Sequence, residues 1–167
     1  ALVLLLGFTS SREQQATQDG FSWCDFEGGI GFQATYDAPT AGKFGWGLQI
    51  NRHLITTHFG SVGDIFRYHA EVGLLYGRVL TPLDSKFMGG VSAGISYATQ
   101  IETSFGLFGG KSGSSSAFHG VSIPVQAHLQ YRMLKHIALG ATLFSSINQE
   151  EPFGGLTVGI LIGKFWP

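Results

Sequence analysis

Four sets of residues in this sequence have types and spacings that could do chemistry. Gly90-Val91-Ser92-Ala93-Gly94 has the G-x-S-x-G spacing of a nucleophilic serine, which works where a sharp strand-to-helix turn lifts the hydroxyl clear of its neighbours. Gly29-Ile30-Gly31-Phe32-Gln33-Ala34 resembles a dinucleotide fingerprint, whose glycines let a pyrophosphate approach the start of a helix. Gly110-Lys111-Ser112 ends like a phosphate-cradling loop, but Phe105 stands where the first glycine belongs. The fourth set is Glu27, His58, Arg67, His69, Glu71, Gln126 and His128. Its carboxylates and imidazoles are the groups used for proton transfer.

Each set needs an element to position it, and the elements predicted are strands. From Phe26 onward apolar residues recur at every second position, the period of a strand and not the 3.6 of a helix. Phe26, Ile30 and Phe32 oppose Glu27, Gly29 and Gln33. Phe44, Trp46 and Leu48 oppose Gly45, Gly47 and Gln49. Ile55 and Phe59 mark a third strand, and a fourth runs from about Ile65 to Leu80. Phe87, Val91, Ala93 and Tyr97 oppose Met88, Ser92 and Ser96. Val121 to Tyr131, Ile137 to Ile147 and Leu156 to Trp166 continue the pattern, making eight strands. Compact turns are expected at Arg52-His53, Thr81 to Lys86 and Leu134-Lys135, and a long Gly/Ser-rich external loop at Thr103 to Ser116. Ser92 then lies in mid-strand, and no helix follows Gly29 to Ala34. Neither motif has the context its chemistry requires, so no catalytic residue is assigned.

Composition decides where such a barrel lives. Charged residues are 13% of the chain, about half the share usual in soluble domains. No apolar run reaches the roughly 18 residues of a spanning helix, and only helices and closed barrels satisfy every backbone group in lipid. The fold expected is therefore all-β, an eight-stranded antiparallel up-and-down transmembrane β-barrel. A net charge of −1 leaves no nucleic-acid footprint, and Cys24, the sole cysteine, excludes an intramolecular disulfide. The apolar opening Ala1 to Phe8, followed by a polar run to Gly20, reads as a signal-peptide remnant. The expected division is 1–20 for that segment and 21–167 for the barrel.

The face carrying Gly, Ser, Thr, Gln and His suits a narrow lumen, which leaves the apolar face to lipid. Phe26 and Tyr36, Phe66 and Tyr76, and Phe87 and Tyr97 are each ten residues apart. Tilted, that is roughly the 25 Å between two aromatic girdles, to which Tyr131 and Trp166 are added. Charges in a narrow lumen must be paired, so Glu27, Arg67, His69 and Glu71 are expected to form a polar network with His58, Gln126 and His128. Pairing residue 61 with residue 66 sets His58 opposite His69. Two histidines make an incomplete ligand set, so a hydrogen-bonded pair is expected there, with no metal and no cofactor.

Three stretches carry a family resemblance: Gly73-Leu74-Leu75-Tyr76-Gly77-Arg78, Ser122-Ile123-Pro124-Val125-Gln126-Ala127, and the ending from Ile147-Asn148 through Gly154-Gly155-Leu156 to Gly163-Lys164-Phe165. They resemble small outer-membrane β-barrel proteins of the OmpA/OmpX type, in an uncharacterised branch. Family barrels often end on an aromatic, whereas Pro167 follows Phe165 and Trp166 here. The resemblance implies insertion in the bacterial outer membrane, by the barrel insertion machinery, and supplies no catalytic residues; the barrel is expected to be a monomer with a plugged lumen. Its partners would be membrane lipids, including outer-leaflet lipopolysaccharide, and its role structural or interactive through external loops. Two alternatives stand beside it. One is an outer-leaflet lipid-modifying enzyme: Phe66-Arg67-Tyr68-His69 faintly resembles the motif of barrel lipid A deacylases, without the Ser-Asn expected after the histidine. The other is a soluble lipocalin-like ligand-binding barrel.

Overall fold

Alternating apolar and small polar residues build a sheet with two unlike faces, and this chain closes that sheet on itself. The computed structural model describes residues 20–33, 39–64, 67–83, 85–104, 113–149 and 152–165. Its strands are β1 (Phe21–Gln33), β2 (Thr40–Ile50), β3 (His53–Gly63), β4 (Arg67–Val79), β5 (Phe87–Ser104), β6 (Gly113–Leu134), β7 (Ile137–Ile147) and β8 (Phe153–Lys164). Each pairs antiparallel with the next, and β8 pairs with β1 to close the barrel. Residues 1–19, Tyr36, Phe66 and Trp166 lie outside the described residues, as does the side chain of Arg67.

Turn chemistry explains the tight ends. Ile50 pairs with His53, leaving Asn51-Arg52 as a two-residue turn, and Asn51 takes φ 55°, a conformation asparagine tolerates better than most residues. Leu134 pairs with Ile137 across Lys135-His136. Both turns sit one residue from the expected positions.

Three larger differences separate this fold from the expectation. β1 begins at Phe21 and β2 at Thr40, each ahead of the expected starts at Phe26 and Phe44. β5 and β6 run on past the expected loop edges, with Thr103 opposite Ser114 and Ser104 opposite Gly113 beyond a bulge at Gln100/Ile101. The Gly/Ser stretch loses its apolar alternation, but backbone pairing does not depend on it. In the β3–β4 hairpin Ser61 pairs with Ala70, not residue 66, so His58 lies opposite Gly73 and His69 opposite Val62. The expected His58–His69 pair does not form. An even shift of four keeps every side chain on its predicted face while changing its cross-strand partner.

The outer face is apolar: Ile95 is 63% exposed, Val158 60% and Leu74 55%. A water-soluble protein buries such residues, whereas this surface matches hydrocarbon. Side chains project into the lumen, with an apolar cluster toward each end. Trp23, Leu54, Val79, Met88, Ala138, Leu161 and Phe165 pack at the turn end. Ala41, Val62, Ala98, Phe144 and Phe153 pack at the loop end. Gly47 has no room for a β-carbon because the Trp23 ring lies against it.

Ala93 is exposed on the outer face and its neighbour Ser92 is buried in the lumen. A nitroxide at position 93 in the reconstituted barrel should be relaxed strongly by oxygen, which concentrates in lipid, and weakly by a polar nickel chelate. Equal access by both reagents would mean that this face meets water.

Candidate functional site

Between the two apolar clusters the lumen carries charge, and the strands distribute its partners. Glu71 on β4 is 2% exposed. Its Oε1 accepts from His58 Nε2 on β3 at 2.7 Å. Its Oε2 is within reach of three hydroxyls: Ser96 on β5 at 3.0 Å, Ser122 on β6 at 3.1 Å and Ser146 on β7 at 2.5 Å. Five consecutive strands thus converge on one carboxylate. The Ser96 and Ser122 hydroxyl oxygens are 2.6 Å apart. The His58 ring meets Phe144 edge-on, with centroids 5.8 Å apart, and Gly60 leaves space beside it.

A second carboxylate site closes the remaining seam of the barrel. Lys43 Nζ on β2 lies 2.9 Å from Asp25 Oδ1 and 3.6 Å from Glu27 Oε1, both on β1. Glu27 also accepts from Thr142 Oγ1 on β7 at 3.0 Å and from Thr157 Oγ1 on β8 at 2.6 Å. Beside this group is a small cavity of about 10 Å³ whose wall includes Thr56, Gln126, His128 and Gln130, room for roughly one water. Gln126 Nε2 donates to Thr56 Oγ1 at 3.1 Å.

Two smaller contacts stand outside these groups. Gln33 Nε2 and His69 Nε2 are 2.8 Å apart, and the His69 ring stacks on Phe153 with centroids 5.0 Å apart. At the turn end the Arg132 guanidinium lies 5.0 Å from the centre of the Phe21 ring and donates to Gln49 Oε1 at 3.4 Å.

The residues singled out in the sequence therefore occupy one lumen but separate groups. Glu71 and His58 share one, Glu27 belongs to a second, His69 to a third, and Gln126 and His128 line the cavity. The backbone of Arg67 pairs with Glu102 near the loop end. Sequence reasoning missed Asp25, Lys43 and Arg132. Carrying the alternation back from Glu27 reaches Asp25 and Trp23, and carrying it back from Gly45 reaches Lys43. The signal is present ahead of the expected starts of β1 and β2 and, for Arg132, one residue past the expected end of β6 at Tyr131.

Chemically, the arrangement holds charge. A serine nucleophile needs a histidine nitrogen within about 2.6–3.2 Å of its hydroxyl. Here the hydroxyls of Ser96, Ser122 and Ser146 turn to Glu71, and His58 does the same. Of the outward aromatics, Phe26 is 53% exposed, Tyr76 56% and Tyr131 39%. Phe26 packs on Phe44 and Phe87 on Tyr131, with centroids 5.0 and 4.8 Å apart.

No sequence model of a known family matches the chain, and no curated protein does. Solved structures match it in fold. Neisserial surface protein A aligns with a TM-score of 0.65 at 12% identity, over 86% of this chain and 96% of that one. The N-terminal β-barrel domain of Pseudomonas aeruginosa OprF gives 0.57 at 16% identity, over 86% and 100%. Ail, the attachment invasion locus protein of Yersinia pestis, gives 0.56 at 13% identity, over 87% and 96%. Ail also has structures with the heparin analogue sucrose octasulfate and in a phospholipid bilayer nanodisc. These neighbours are bacterial outer-membrane β-barrels. In fold this chain is, like them, a closed eight-stranded antiparallel β-barrel, and its outer face is apolar.

Proposed function

We propose that this protein is a closed-lumen barrel of the bacterial outer membrane with a structural or interaction role. The carrying observation is the lumen itself. Two buried carboxylate groups tie all eight strands together, and an apolar cluster stands toward each end. A passage for solutes needs a wetted path, whereas the carboxylates of Glu71 and Glu27 are bonded across the lumen to side chains of other strands. What remains free to meet a partner is the set of connections beyond the loop end, because loops on a rigid scaffold carry recognition. Attachment by Ail, a structural neighbour, is consistent with such a use of the fold.

In this reading the barrel is a monomer inserted by the barrel insertion machinery. Its aromatic girdles, among them Phe26, Tyr76, Phe87, Tyr97 and Tyr131, face phospholipid and outer-leaflet lipopolysaccharide. The tight turns at Asn51-Arg52 and Lys135-His136 face the periplasm, as short turns do in bacterial barrels.

Planar-bilayer recording tests the closed lumen. The purified barrel should insert without sustained conductance steps under applied voltage. Regular, long-lived steps from the monomer would show a continuous water path and overturn the reading.

A further inference from the structure

A buried glutamine amide brings an acceptor oxygen and two donor hydrogens, and each demands a partner away from bulk water. Gln126 and Gln130 stand on one face of β6 and are 4% and 3% exposed. Gln126 Nε2 donates to Thr56 Oγ1 on β3. The Oε1 atoms of both glutamines have no hydrogen-bond partner among the described residues. Both side chains line the small cavity beside the Lys43 group, together with Thr56, Lys43, Asp25 and Glu27.

The wall formed by β2 and β3 has hydrogens to give. The Lys43 ammonium carries three. Asp25 Oδ1 at 2.9 Å and Glu27 Oε1 at 3.6 Å take two of them, which leaves one. Thr56 Oγ1 accepts from Gln126 and keeps its own hydrogen to donate. The cavity is therefore lined by two acceptors from β6 and two donors from β2 and β3. His128, between the glutamines, also has an unpartnered Nε2, but the tip of its ring stands over Gly90 on β5.

We propose that this cavity is a binding site for one water molecule, held by Gln126 and Gln130 as acceptors and by Lys43 and Thr56 as donors. Water is the ligand whose valence fits, since it donates two hydrogen bonds and accepts two. The volume, about 10 Å³, is close to the smallest that admits one. A sodium or potassium ion would suit the amide oxygens but would share the space with the Lys43 ammonium. A chloride ion would suit the ammonium and the hydroxyl, but it leaves both amide oxygens unpartnered and stands beside the Asp25 and Glu27 carboxylates. The bound water joins β6 to the charged group across the lumen. It rests on the closed-lumen reading, because only a sealed site keeps one water for long.

Oxygen-17 magnetic relaxation dispersion counts waters held longer than a barrel takes to tumble, and it is applied to the whole chain in detergent micelles. The wild type should show at least one such water. Gln126→Met/Gln130→Met removes both acceptors with side chains of similar length and should show one fewer. Equal counts in the two proteins overturn the site. Crystals of the wild type give a second readout that does not depend on the variant folding. Density is expected within about 2.7–3.2 Å of Gln126 Oε1, Gln130 Oε1 and Lys43 Nζ, and a cavity without it overturns the site. Crystals soaked in rubidium or bromide should show no anomalous signal there; a signal from either puts an ion in place of the water and overturns the assignment. A wild-type barrel that holds no long-lived water and passes no current refutes the site alone. One that passes sustained current refutes the closed lumen together with it.

Discussion

Glu71→Ala should lower the unfolding free energy of the reconstituted barrel by roughly 3 kcal/mol or more, because several buried donors lose one acceptor and each one left unsatisfied costs about 1–3 kcal/mol. The carboxylate accepts from His58 and stands within reach of three serine hydroxyls. Alanine leaves all four donors in a lumen with little water to replace it. The serines can partly recover, because Ser96 and Ser122 already lie within hydrogen-bond distance. His58 cannot, since its Nδ1 also lacks a partner. Glu71→Gln keeps an acceptor oxygen for His58 and should cost about 1–3 kcal/mol, the penalty for weakening charge-assisted hydrogen bonds. Urea titration in vesicles, read by heat-modifiable gel migration, measures both. An alanine variant as stable as the wild type would remove Glu71 from the centre of the lumen network.

Lys43→Met should be comparably damaging for a different reason. Lys43 is the cation beside Asp25 and Glu27, and its loss leaves two like charges buried next to each other. The expected cost is about 3–5 kcal/mol. A second substitution distinguishes repulsion from lost packing. In Lys43→Met/Asp25→Asn one of the two charges is gone, so the double variant should be more stable than Lys43→Met alone. That ordering is the signature of coupled neighbours. If the double variant is the less stable one, the methionine has failed through shape, and the electrostatic account of this group is wrong.

How much of this could be read from the sequence depended on what period two encodes. It encodes the face. Ser92, Gln126 and Glu71 are buried and Ala93, Val125 and Val72 exposed, as alternation requires once a strand is recognised. It does not encode register, because any even slip preserves the pattern. That is why His58 was paired with His69 when its ring reaches Glu71. Nor does it fix where a strand begins. Phe21 to Asp25 mixes polar and aromatic residues, and Thr40 to Lys43 follows a proline and contains a glycine. Thr40 to Lys43 reads as loop, Phe21 to Asp25 falls in the barrel but shows no alternation that assigns it to a strand, and the two together hide Asp25 and Lys43. The long β5–β6 pairing is illegible for another reason: a Gly/Ser-rich stretch shows no apolar alternation, while the backbone pairing of Thr103 with Ser114 and of Ser104 with Gly113 needs none.

The joint between β1 and β8 has a consequence for how the molecule comes into being. Its partners lie at opposite ends of the strand order, with Glu27 bonded to Thr157 at a separation of 130 residues, so this seam is the slowest contact to find by chain search. Until it closes, Glu27 lacks its β8 hydroxyl and both margins of the sheet present bare amides and carbonyls. Hydrocarbon tolerates neither. A half-assembled sheet therefore has no resting place inside the bilayer. The route to the native state runs either through a curled precursor that crosses as a whole or through a catalyst that shields both margins until they meet.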